Sequence, residues 1–503
     1  MNERKKSIVI VGGGTAGWMA ANLMATHWQQ LDFDITLVES SQIGIIGVGE
    51  GSTPALKNFM DHIGVWEPEW MPACNATYKV GITFRDWSTR KGFFSYFHPF
   101  LAQPDQFAME AFYHNNLLRR NGIDLEAHPD HFSLAAHLAR NKLSPVAAEN
   151  CPFKIDYAYH FDAHLLGKFL AKKAMEKGVQ YREATVSHAS VDAAGNISGL
   201  NTDQGELIKA DLYVDCTGFR SQLLQQALNV PFIGFADNLF NDSAVVFSTR
   251  QCEEIECRTA SQAMRYGWAW SIPLTNRIGN GYVYSSDFCS ADQAESEFRA
   301  HLGLMGDPVE ARHIKMKVGR VQQHWAGNCL AVGLSQGFVE PLEATALDLV
   351  GLTVHSFMEA YVKGNFTAQN RDAFNAHIND RFDAVRDYIV CHYKANTRTD
   401  TDYWIENREN ESISDGLKAV LSSWKSGEYI GNELKKHKLD AYFAHFSWNC
   451  LLAGYGDFPA QEALRRGKEI AYKYKLDDIK DFVHRCAMNF KPHRMQLESL
   501  RQC

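Results

Sequence analysis

The sequence predicts an α/β fold that ends in a long helical region, and three observations support this class. A β-branched run at residues 7–11 stops at a glycine-rich turn and is followed by a helical pattern. Apolar strand-and-turn segments recur at residues 209–221 and 328–343. From about residue 346 to 503 the pattern becomes helical. The chain of 503 residues is long enough for two or three compact regions, since a domain takes roughly 100–200 residues.

The first element is a strand, turn and helix followed by a second strand. The turn at residues 12–17 carries glycines in the spacing GxGxxG. Such glycines permit tight curvature and close approach of the backbone to a pyrophosphate, which the helix N-terminus then holds. The second strand, residues 33–38, ends at Glu39, whose carboxylate would accept hydrogen bonds from an adenosine ribose. A purely structural turn is the alternative. The predicted dinucleotide contacts are Gly12, Gly14, Thr15, Ala16, Gly17 and Glu39.

The later strand-and-turn segments indicate that the nucleotide-binding domain is discontinuous. Between them, aromatic residues alternate with small ones, as at residues 281–285, which is typical of a sheet that covers a ligand. The predicted domain lies within residues 1–345 and the helical, substrate-covering region is 346–503. Within the first, the nucleotide-binding segments are about 5–90, 205–235 and 320–345, and the inserted sheet regions are about 91–204 and 236–319.

Composition excludes several function classes. A net charge of −8 argues against nucleic acid as a partner, because nucleic-acid binders rely on positive charge to hold phosphates. The basic leader runs directly into the first strand, and no apolar span is long enough for a membrane helix, so we expect a cytoplasmic protein without a membrane partner. The 11 cysteines form no CxxC pair and the 20 histidines no HExxH motif, so neither a disulfide framework nor a metal is predicted.

Four segments carry more specific chemistry than a glycine turn, which by itself selects no reaction. Residues 268–273 read WAWSIP, and in isolation they would form one face of a buried strand. Lys79 has apolar neighbours, which predicts partial burial, although a single lysine is usually a solvated charge. Residues 338–346, FVEPLEATA, place acidic residues at a helix start, a common arrangement without catalytic meaning. Residues 47–54, GVGEGSTP, form the fourth segment.

In chain order, these segments resemble the flavin-dependent tryptophan halogenases. The resemblance implies an FAD-binding, monooxygenase-like fold, with a flavin-contacting strap at residues 47–54. It implies that Lys79 and Glu343 are the catalytic lysine and glutamate, and we expect them to face each other across a pocket. The implied flavin contacts are Val48, Gly49, Glu50 and Leu334, the residues that screen the flavin are Trp268, Trp270, Ile272 and Pro273, and the halide-binding residues are Thr345 and Ala346.

The resemblance also implies a reaction. Reduced FAD would come from a separate flavin reductase, since no second dinucleotide motif is visible. A flavin hydroperoxide would oxidise halide to hypohalous acid, which Lys79 would hold as a haloamine or through a hydrogen bond. Glu343 would polarise the halogen or take the proton from the ring. The candidates for the walls of an aromatic slot are His98, Phe100, Tyr442 and Phe443, whereas Phe446 and Trp448 are more typical of a core.

Two departures from the family pattern bear on specificity. Ala344 and Ala346 stand where the family usually has serine and glycine, and we predict that bromide outcompetes chloride. Residues 429–438 keep little of the family's clamp for the amino-acid group, so we predict indole or a substituted indole as the preferred aromatic substrate. Two alternatives remain at this stage: an FAD-dependent aromatic hydroxylase and a non-catalytic flavin-binding protein. The sequence leaves the oligomeric state open, with a homodimer as one option.

Overall fold

A computed structural model describes residues 5–28, 31, 33–42, 50–251 and 253–501. The predicted flavin contacts Val48 and Gly49 lie outside the described residues. The strands, numbered in chain order, are β1 (Ser7–Val11), β2 (Asp34–Glu39), β3 (Glu50–Gly51), β4 (Thr77–Lys79), β5 (Gly81–Arg85), β6 (Ser95–Pro99), β7 (Leu143–Ala147), β8 (Ala158–Phe161), β9 (Gln180–Glu183), β10 (Val186–Val191), β11 (Ile197–Thr202), β12 (Leu207–Ile208), β13 (Leu212–Asp215), β14 (Phe232–Gly234), β15 (Ser243–Arg250), β16 (Thr259–Ala263), β17 (Gly267–Pro273), β18 (Arg277–Tyr284), β19 (Arg312–Lys315), β20 (Gly319–Val321), β21 (Trp325–Ala326), β22 (Cys329–Ala331), β23 (Gly337–Phe338) and β24 (Phe490–Pro492).

Helices alternate with the strands in the first part of the chain and predominate after residue 345. The α-helices are α1 (Thr15–His27), α2 (Ala55–His62), α3 (Glu67–Trp70), α4 (Asp105–Arg120), α5 (Leu134–Arg140), α6 (Ala163–Glu176), α7 (Ala291–Leu302), α8 (Ala346–Lys363), α9 (Arg371–Ala395), α10 (Asp402–Glu409), α11 (Asp415–Lys425), α12 (Gly431–Lys436), α13 (His445–Gly454), α14 (Leu476–Ala487) and α15 (His493–Ser499). Among the described helices, none is both long and apolar enough to cross a membrane.

The chain divides into two compact units. The first unit contains Met1–Ala76, Phe161–Phe235 and Lys317–Phe382, and the second contains Thr77–His160, Ala236–Met316 and Asp383–Cys503. Both units are therefore built from separate stretches of sequence, and the chain passes from the first to the second within α9. The predicted functional division at residue 345 stays a prediction.

The first unit is organised around a sheet with the strand order β21-β22-β13-β1-β2-β9. Strands β22, β13, β1, β2 and β9 run parallel, and β21 pairs antiparallel with β22. A parallel sheet is normally covered on both faces, so its strands read as continuous apolar runs. This is why the SIVIV segment forms β1, with residues 8–11 buried. The predicted order of strand, turn, helix and strand at the start of the chain is confirmed by β1, α1 and β2.

The core of the first unit joins the sheet to the segment after β13. Val9, Val11 and Val38 pack in one buried cluster with Leu223 and Leu224. Burying each such side chain contributes about 1.5–3 kcal/mol, so this cluster fixes the end of β1 and the turn that follows it.

The second unit contains a seven-stranded sheet with the order β19-β15-β18-β17-β16-β5-β6. Its pairs are antiparallel except β16 with β5. Outside this sheet, β4 pairs antiparallel with β8, and β4 carries Lys79. The two units together make an α/β fold, and the predicted fold class is confirmed at that level.

Candidate active site

The turn after β1 tolerates only glycine at two positions. Gly12 has φ +114°, and a Cβ atom there would lie 2.2 Å from the carbonyl oxygen of Cys216. A Cβ at Gly17 would lie 1.9 Å from the carbonyl oxygen of Gly12. Both contacts are with backbone, so nothing flexible could move aside. The first and third glycines of the predicted motif therefore allow strand, turn and helix to pack closely.

Glu39 reaches the same turn from the tip of β2. A Cβ at Gly13 would lie 2.1 Å from Glu39 Cδ, so this carboxyl group lies directly over the turn. Burial, and secondly the nearby Glu183, raise the pKa of Glu39. The structure thus brings the acidic residue and the glycine turn together, as the βαβ pattern predicts.

The start of α1 offers backbone donors beside this turn. Gly14 is its N-cap residue, no side chain caps the helix, and no acidic residue occupies the first turn. Those amide groups and the helix dipole favour an anion. The predicted contact Leu334 lies in a 3-10 turn, Gly333–Ser335, and a Cβ at Gly333 would lie 2.7 Å from Ala16 Cβ. Ala16 and Leu334, which are far apart in sequence, therefore belong to one region of the first unit.

Asp215 stabilises the segment after β13, against which the glycine turn packs. Its carboxylate accepts hydrogen bonds from the backbone and hydroxyl of Thr217 and from the amides of Leu223 and Leu224. Asp215 is fully buried, so these bonds offset the cost of removing a charge from water. The sequence analysis did not assign this role, although the position of an acid at the end of a strand hinted at it.

Lys79 lies at the end of β4 and is fully buried. Its Nζ lies 5.4 Å from the centre of the Phe100 ring, a cation–π distance. The sequence predicted partial burial, and the structure shows more than that.

The second unit also contains a group of aromatic side chains around Tyr388 and Phe443. The rings of Tyr388 and Phe443 stack at 3.8 Å, and His98 lies 6.0 Å from the first and 6.5 Å from the second. Tyr442 packs on Phe443 at 4.9 Å. His98 Nε2 lies 3.1 Å from Ser447 Oγ. Three of the four predicted slot residues are therefore neighbours, and Phe100 lies beside Lys79.

The aromatic group contains a member that sequence reasoning missed. Tyr388 lies in α9, and nothing in its local pattern separates it from the other buried residues of that helix. Its hydroxyl donates to the Ser447 carbonyl. Trp448, which was expected to be core, is fully buried 5.1 Å from Tyr388, and Phe446 packs 5.9 Å from Phe112.

The WAWSIP segment forms β17. Trp268, Trp270 and Ile272 alternate along the strand and so share one face, with the two indoles 6.0 Å apart. Trp270 pairs with Gly281 of β18, and a Cβ at Gly281 would lie 2.0 Å from the indole ring. Gly281 thus leaves the space in which the indole of Trp270 lies flat on the sheet.

The FVEPLEATA segment turns sharply before a long helix. Pro341–Glu343 form a 3-10 turn, Ala344 adopts a left-handed conformation with φ +57°, and Thr345 precedes α8. Glu343 is buried, with 4% of its surface exposed. Ala346 is the first helical residue, so the positive φ falls at Ala344, and alanine at 346 meets no backbone restriction.

The family model for tryptophan halogenases matches residues 7–467, which is most of the chain. The chain belongs to the tryptophan halogenase family. A tryptophan 7-halogenase of Lentzea aerocolonigenes is 35% identical to it over 491 residues, 91% of each chain. The crystal structure of a tryptophan 6-halogenase from Streptomyces toxytricini aligns with a TM-score of 0.85 at 32% identity, covering 98% of this chain and 99% of that one. A flavin-dependent halogenase from Brevundimonas sp. BAL3 aligns with a TM-score of 0.83 at 30% identity, covering 99% of both chains.

This halogenase is therefore a flavin-dependent enzyme that uses reduced FAD from a separate reductase and a halide co-substrate. Membership of the family favours neither the hydroxylase nor the non-catalytic alternative. The glycine turn fits the cofactor, because a Cβ at Gly14 would meet no protein atom within 4 Å, the α1 amides begin at this residue, and Glu39 lies over the neighbouring Gly13. Residues 12–17, Glu39 and Leu334 are the groups that would hold the dinucleotide.

Replacing Gly14 by alanine tests that fit. Gly14 has φ −70° and ψ 176°, which alanine adopts without strain, so stability should change by no more than about 1 kcal/mol. FAD affinity should fall about tenfold or more, because the new methyl group occupies the space beside the α1 amides. Fluorescence titration with FAD and thermal melting measure the two effects.

Gly234→Ala is the matched control, since a Cβ at Gly234 also meets nothing within 4 Å and this residue lies on β14. It should bind FAD as the native chain does. Unchanged affinity in Gly14→Ala would contradict the assignment.

Two expectations about the site stay predictions. Glu50 of the predicted flavin strap is described, and burial raises the pKa of its carboxyl group to about 7. Lys79 belongs to the second unit and Glu343 to the first, so their facing arrangement also remains a prediction.

Proposed function

We propose that this halogenase transfers an oxidised halogen to the ring of indole or a substituted indole, with Lys79 as the residue that holds the halogen. The observation that carries this proposal is the complete burial of Lys79 beside the Phe100 ring. An amine shielded from water can deliver a reactive halogen to one substrate, whereas a free hypohalous acid would react with any accessible side chain.

Reduced FAD, when bound, supplies two of the electrons that dioxygen takes up, and halide supplies the other two and leaves as hypohalous acid. The neutral Lys79 amine can then form an N–halogen bond with loss of water, or the ammonium can orient the acid through a hydrogen bond. Both routes hold the halogen beside Nζ. The ring of the substrate then attacks the halogen with its electron pair. In the first route the N–halogen bond breaks and its electron pair returns to Nζ, which takes up a proton; in the second the O–halogen bond breaks and the oxygen takes a proton from the ammonium and leaves as water.

Glu343 is proposed to act at the end of this reaction. When the new carbon–halogen bond has formed, the ring carries a positive charge and an extra proton at the same carbon. A carboxylate stabilises that charge and accepts the proton, which restores the aromatic ring. The burial of Glu343 strengthens both effects, because charge interactions are stronger away from water.

The aromatic group of His98, Tyr388, Tyr442 and Phe443 is proposed to hold the substrate ring. The stacked rings of Tyr388 and Phe443, with Tyr442 against them, present aromatic surface on which a planar ring can stack, and positioning of that guest selects the carbon that reacts. The polar atoms of these four side chains are two phenol hydroxyls and an imidazole, and none of the four is a carboxylate that could pair with the ammonium group of an amino acid. This supports indole over tryptophan.

Halide is proposed to bind at the start of α8. No side chain caps this helix of 18 residues at Thr345, so its first amides can bind an anion at the positive end of the helix dipole, against the repulsion of Asp348 in the first turn. The methyl group of Ala346 borders these amides. A bulkier and less strongly hydrated anion tolerates an apolar neighbour better, which is the reason to expect a bromide preference.

With bromide and chloride at equal concentration, we expect brominated product to exceed chlorinated product, and Ala346→Gly to shift the ratio toward chloride. Mass spectrometry of the mixed product gives the ratio directly from the isotope patterns. Mainly chlorinated product from the native chain would contradict the predicted bromide preference.

A substrate panel tests the proposed function itself. The purified chain is incubated with a flavin reductase, NADH, FAD, bromide and matched concentrations of indole, substituted indoles and tryptophan. We expect faster bromination of an indole than of tryptophan, detected by the isotope pattern. Equal or faster turnover of tryptophan would refute the substrate assignment, and hydroxylated product formed without halide would favour the monooxygenase reaction.

A further inference from the structure

A buried polar chain lies beside Lys79, within the second unit. Strand β4 pairs antiparallel with β8, so that Thr77 lies opposite His160 and Lys79 opposite Ala158. Because side chains alternate along a strand, Thr77 and Lys79 project from the same face, together with His160. All three side chains are fully buried. The face that presents the lysine therefore also presents an imidazole and a hydroxyl.

The hydrogen bonds determine which nitrogen of His160 carries the proton. Thr77 Oγ1 donates its one proton to the carbonyl oxygen of Pro273, 2.6 Å away. The contact of 3.1 Å between His160 Nδ1 and Thr77 Oγ1 therefore requires Nδ1 to donate. On the other side, His160 Nε2 lies 2.9 Å from Thr259 Oγ1, and a neutral ring protonated at Nδ1 accepts a bond there.

The ring is neutral for a physical reason. Burial is the main cause that lowers the pKa of His160 well below its usual value, and the nearby Lys79 and His493 add to the effect. A second positive charge on the face of Lys79 would be costly. The chain of bonds from Thr259 through His160 and Thr77 ends at Pro273, the last residue of β17, which carries Trp268 and Trp270.

We propose that His160 is a positioning residue for halogen transfer: through its Nδ1–H bond to Thr77 it sets the place of Lys79 relative to β17. The proposal rests on the proposed function, because it matters only if Lys79 holds the halogen. The bond to Thr259 orients the ring but does not connect to the lysine strand. The Nδ1 side of the imidazole should therefore affect halogen transfer, and the Nε2 side should not. A purely structural role of His160 would not predict that difference.

Two pairs of variants distinguish the effect of the hydrogen bond at His160 Nδ1 from the effect of the one at Nε2. The amide nitrogen of asparagine can replace Nδ1 as the donor to Thr77, so His160→Asn keeps the bond to the lysine strand. The longer His160→Gln places its amide near the Nε2 position and loses that donor. Thr77→Val removes the hydroxyl that links His160 to Pro273, and Thr259→Val removes only the hydroxyl on the other side.

Each variant is assayed with the flavin reductase, NADH, FAD, bromide and indole, together with the native chain and Lys79→Ala. Three quantities are measured: reduced flavin consumed, hypohalous acid captured by an added diketone trap, and brominated product. We expect His160→Gln and Thr77→Val to lose on the order of tenfold in product per hypohalous acid formed, since small displacements of a reacting group are costly. His160→Asn and Thr259→Val should stay within about twofold of the native ratio.

Equal ratios in His160→Asn and His160→Gln would overturn the proposal. So would a fall in all four variants that follows the thermal melting temperature or the yield of hypohalous acid, because that pattern marks a structural role only. Lys79→Ala tests the proposed function separately from the role of His160. If that variant still forms regioselective product, Lys79 does not hold the halogen, and His160 has no reacting group to position.

Discussion

Lys79→Ala should abolish brominated product while reduced flavin is still consumed and hypohalous acid is still released. The variant removes the one group proposed to hold the halogen, and it leaves the glycine turn of the first unit untouched. We expect product formation to fall by on the order of a thousandfold, comparable with the loss of a key polar group in other enzymes. Product is measured by mass spectrometry and flavin oxidation by absorbance.

Truncation of a buried side chain can also disturb packing, so a second variant is needed. Lys79→Met keeps most of the side-chain volume and removes the amine, and its thermal melting temperature is measured so that a loss of activity can be told apart from unfolding. It should be as inactive as Lys79→Ala. Lys172→Ala is the matched control, since the Lys172 side chain is 71% exposed and should affect neither quantity.

Retained regioselective bromination in Lys79→Met would show that the role is misassigned. Loss of flavin consumption in the same variant would also contradict the proposal, because Lys79 would then be needed before the halogen is transferred.

Glu343→Gln should slow product formation by about a hundredfold to a thousandfold, within the range that general acid–base groups contribute. Glutamine has nearly the same shape and keeps one carbonyl oxygen, but it neither carries the negative charge nor accepts the ring proton. The yield of hypohalous acid should be unchanged. Single-turnover assays with excess bromide separate the two quantities.

The preceding acid provides the control for this prediction. Glu340 is also buried and lies three residues earlier in the same segment, and the proposal gives it no task in the reaction. Glu340→Gln should retain product formation within a few-fold. Equal losses in the two variants would mean that the segment needs two carboxylates for its structure, and the role of Glu343 as the proton acceptor would be withdrawn.

The secondary structure around the glycine turn could be predicted because its causes are local. An apolar β-branched run, glycines at fixed spacing and an acid at the end of the next strand are read directly from neighbouring residues. The structure has β1, α1 and β2 at these places, with Glu39 over Gly13. Lys79 and Glu343 could not be singled out in this way, and only the resemblance to a family selected them from the other charged residues.

Other members of the site depend on contacts between distant segments. Tyr388 lies in α9 and stacks on Phe443, which lies 55 positions later in the segment just before α13, and neither neighbourhood carries a signal for the pairing. The role of Asp215 likewise depends on the amides of Leu223 and Leu224, which lie in the π-helical turn Gln222–Ala227. Ala344 gives a smaller example, because its left-handed φ follows from the turn and not from its own preference.

By itself the sequence determined the α/β class, the glycine turn and the family, since these depend on residue spacing along the chain. Only the tertiary structure decided that Lys79 is fully buried, that His160 is held as one neutral tautomer, and that Tyr388 joins the aromatic group. The physical reason is that burial and hydrogen-bond direction are properties of a three-dimensional neighbourhood. Segments far apart in sequence must meet before either property exists.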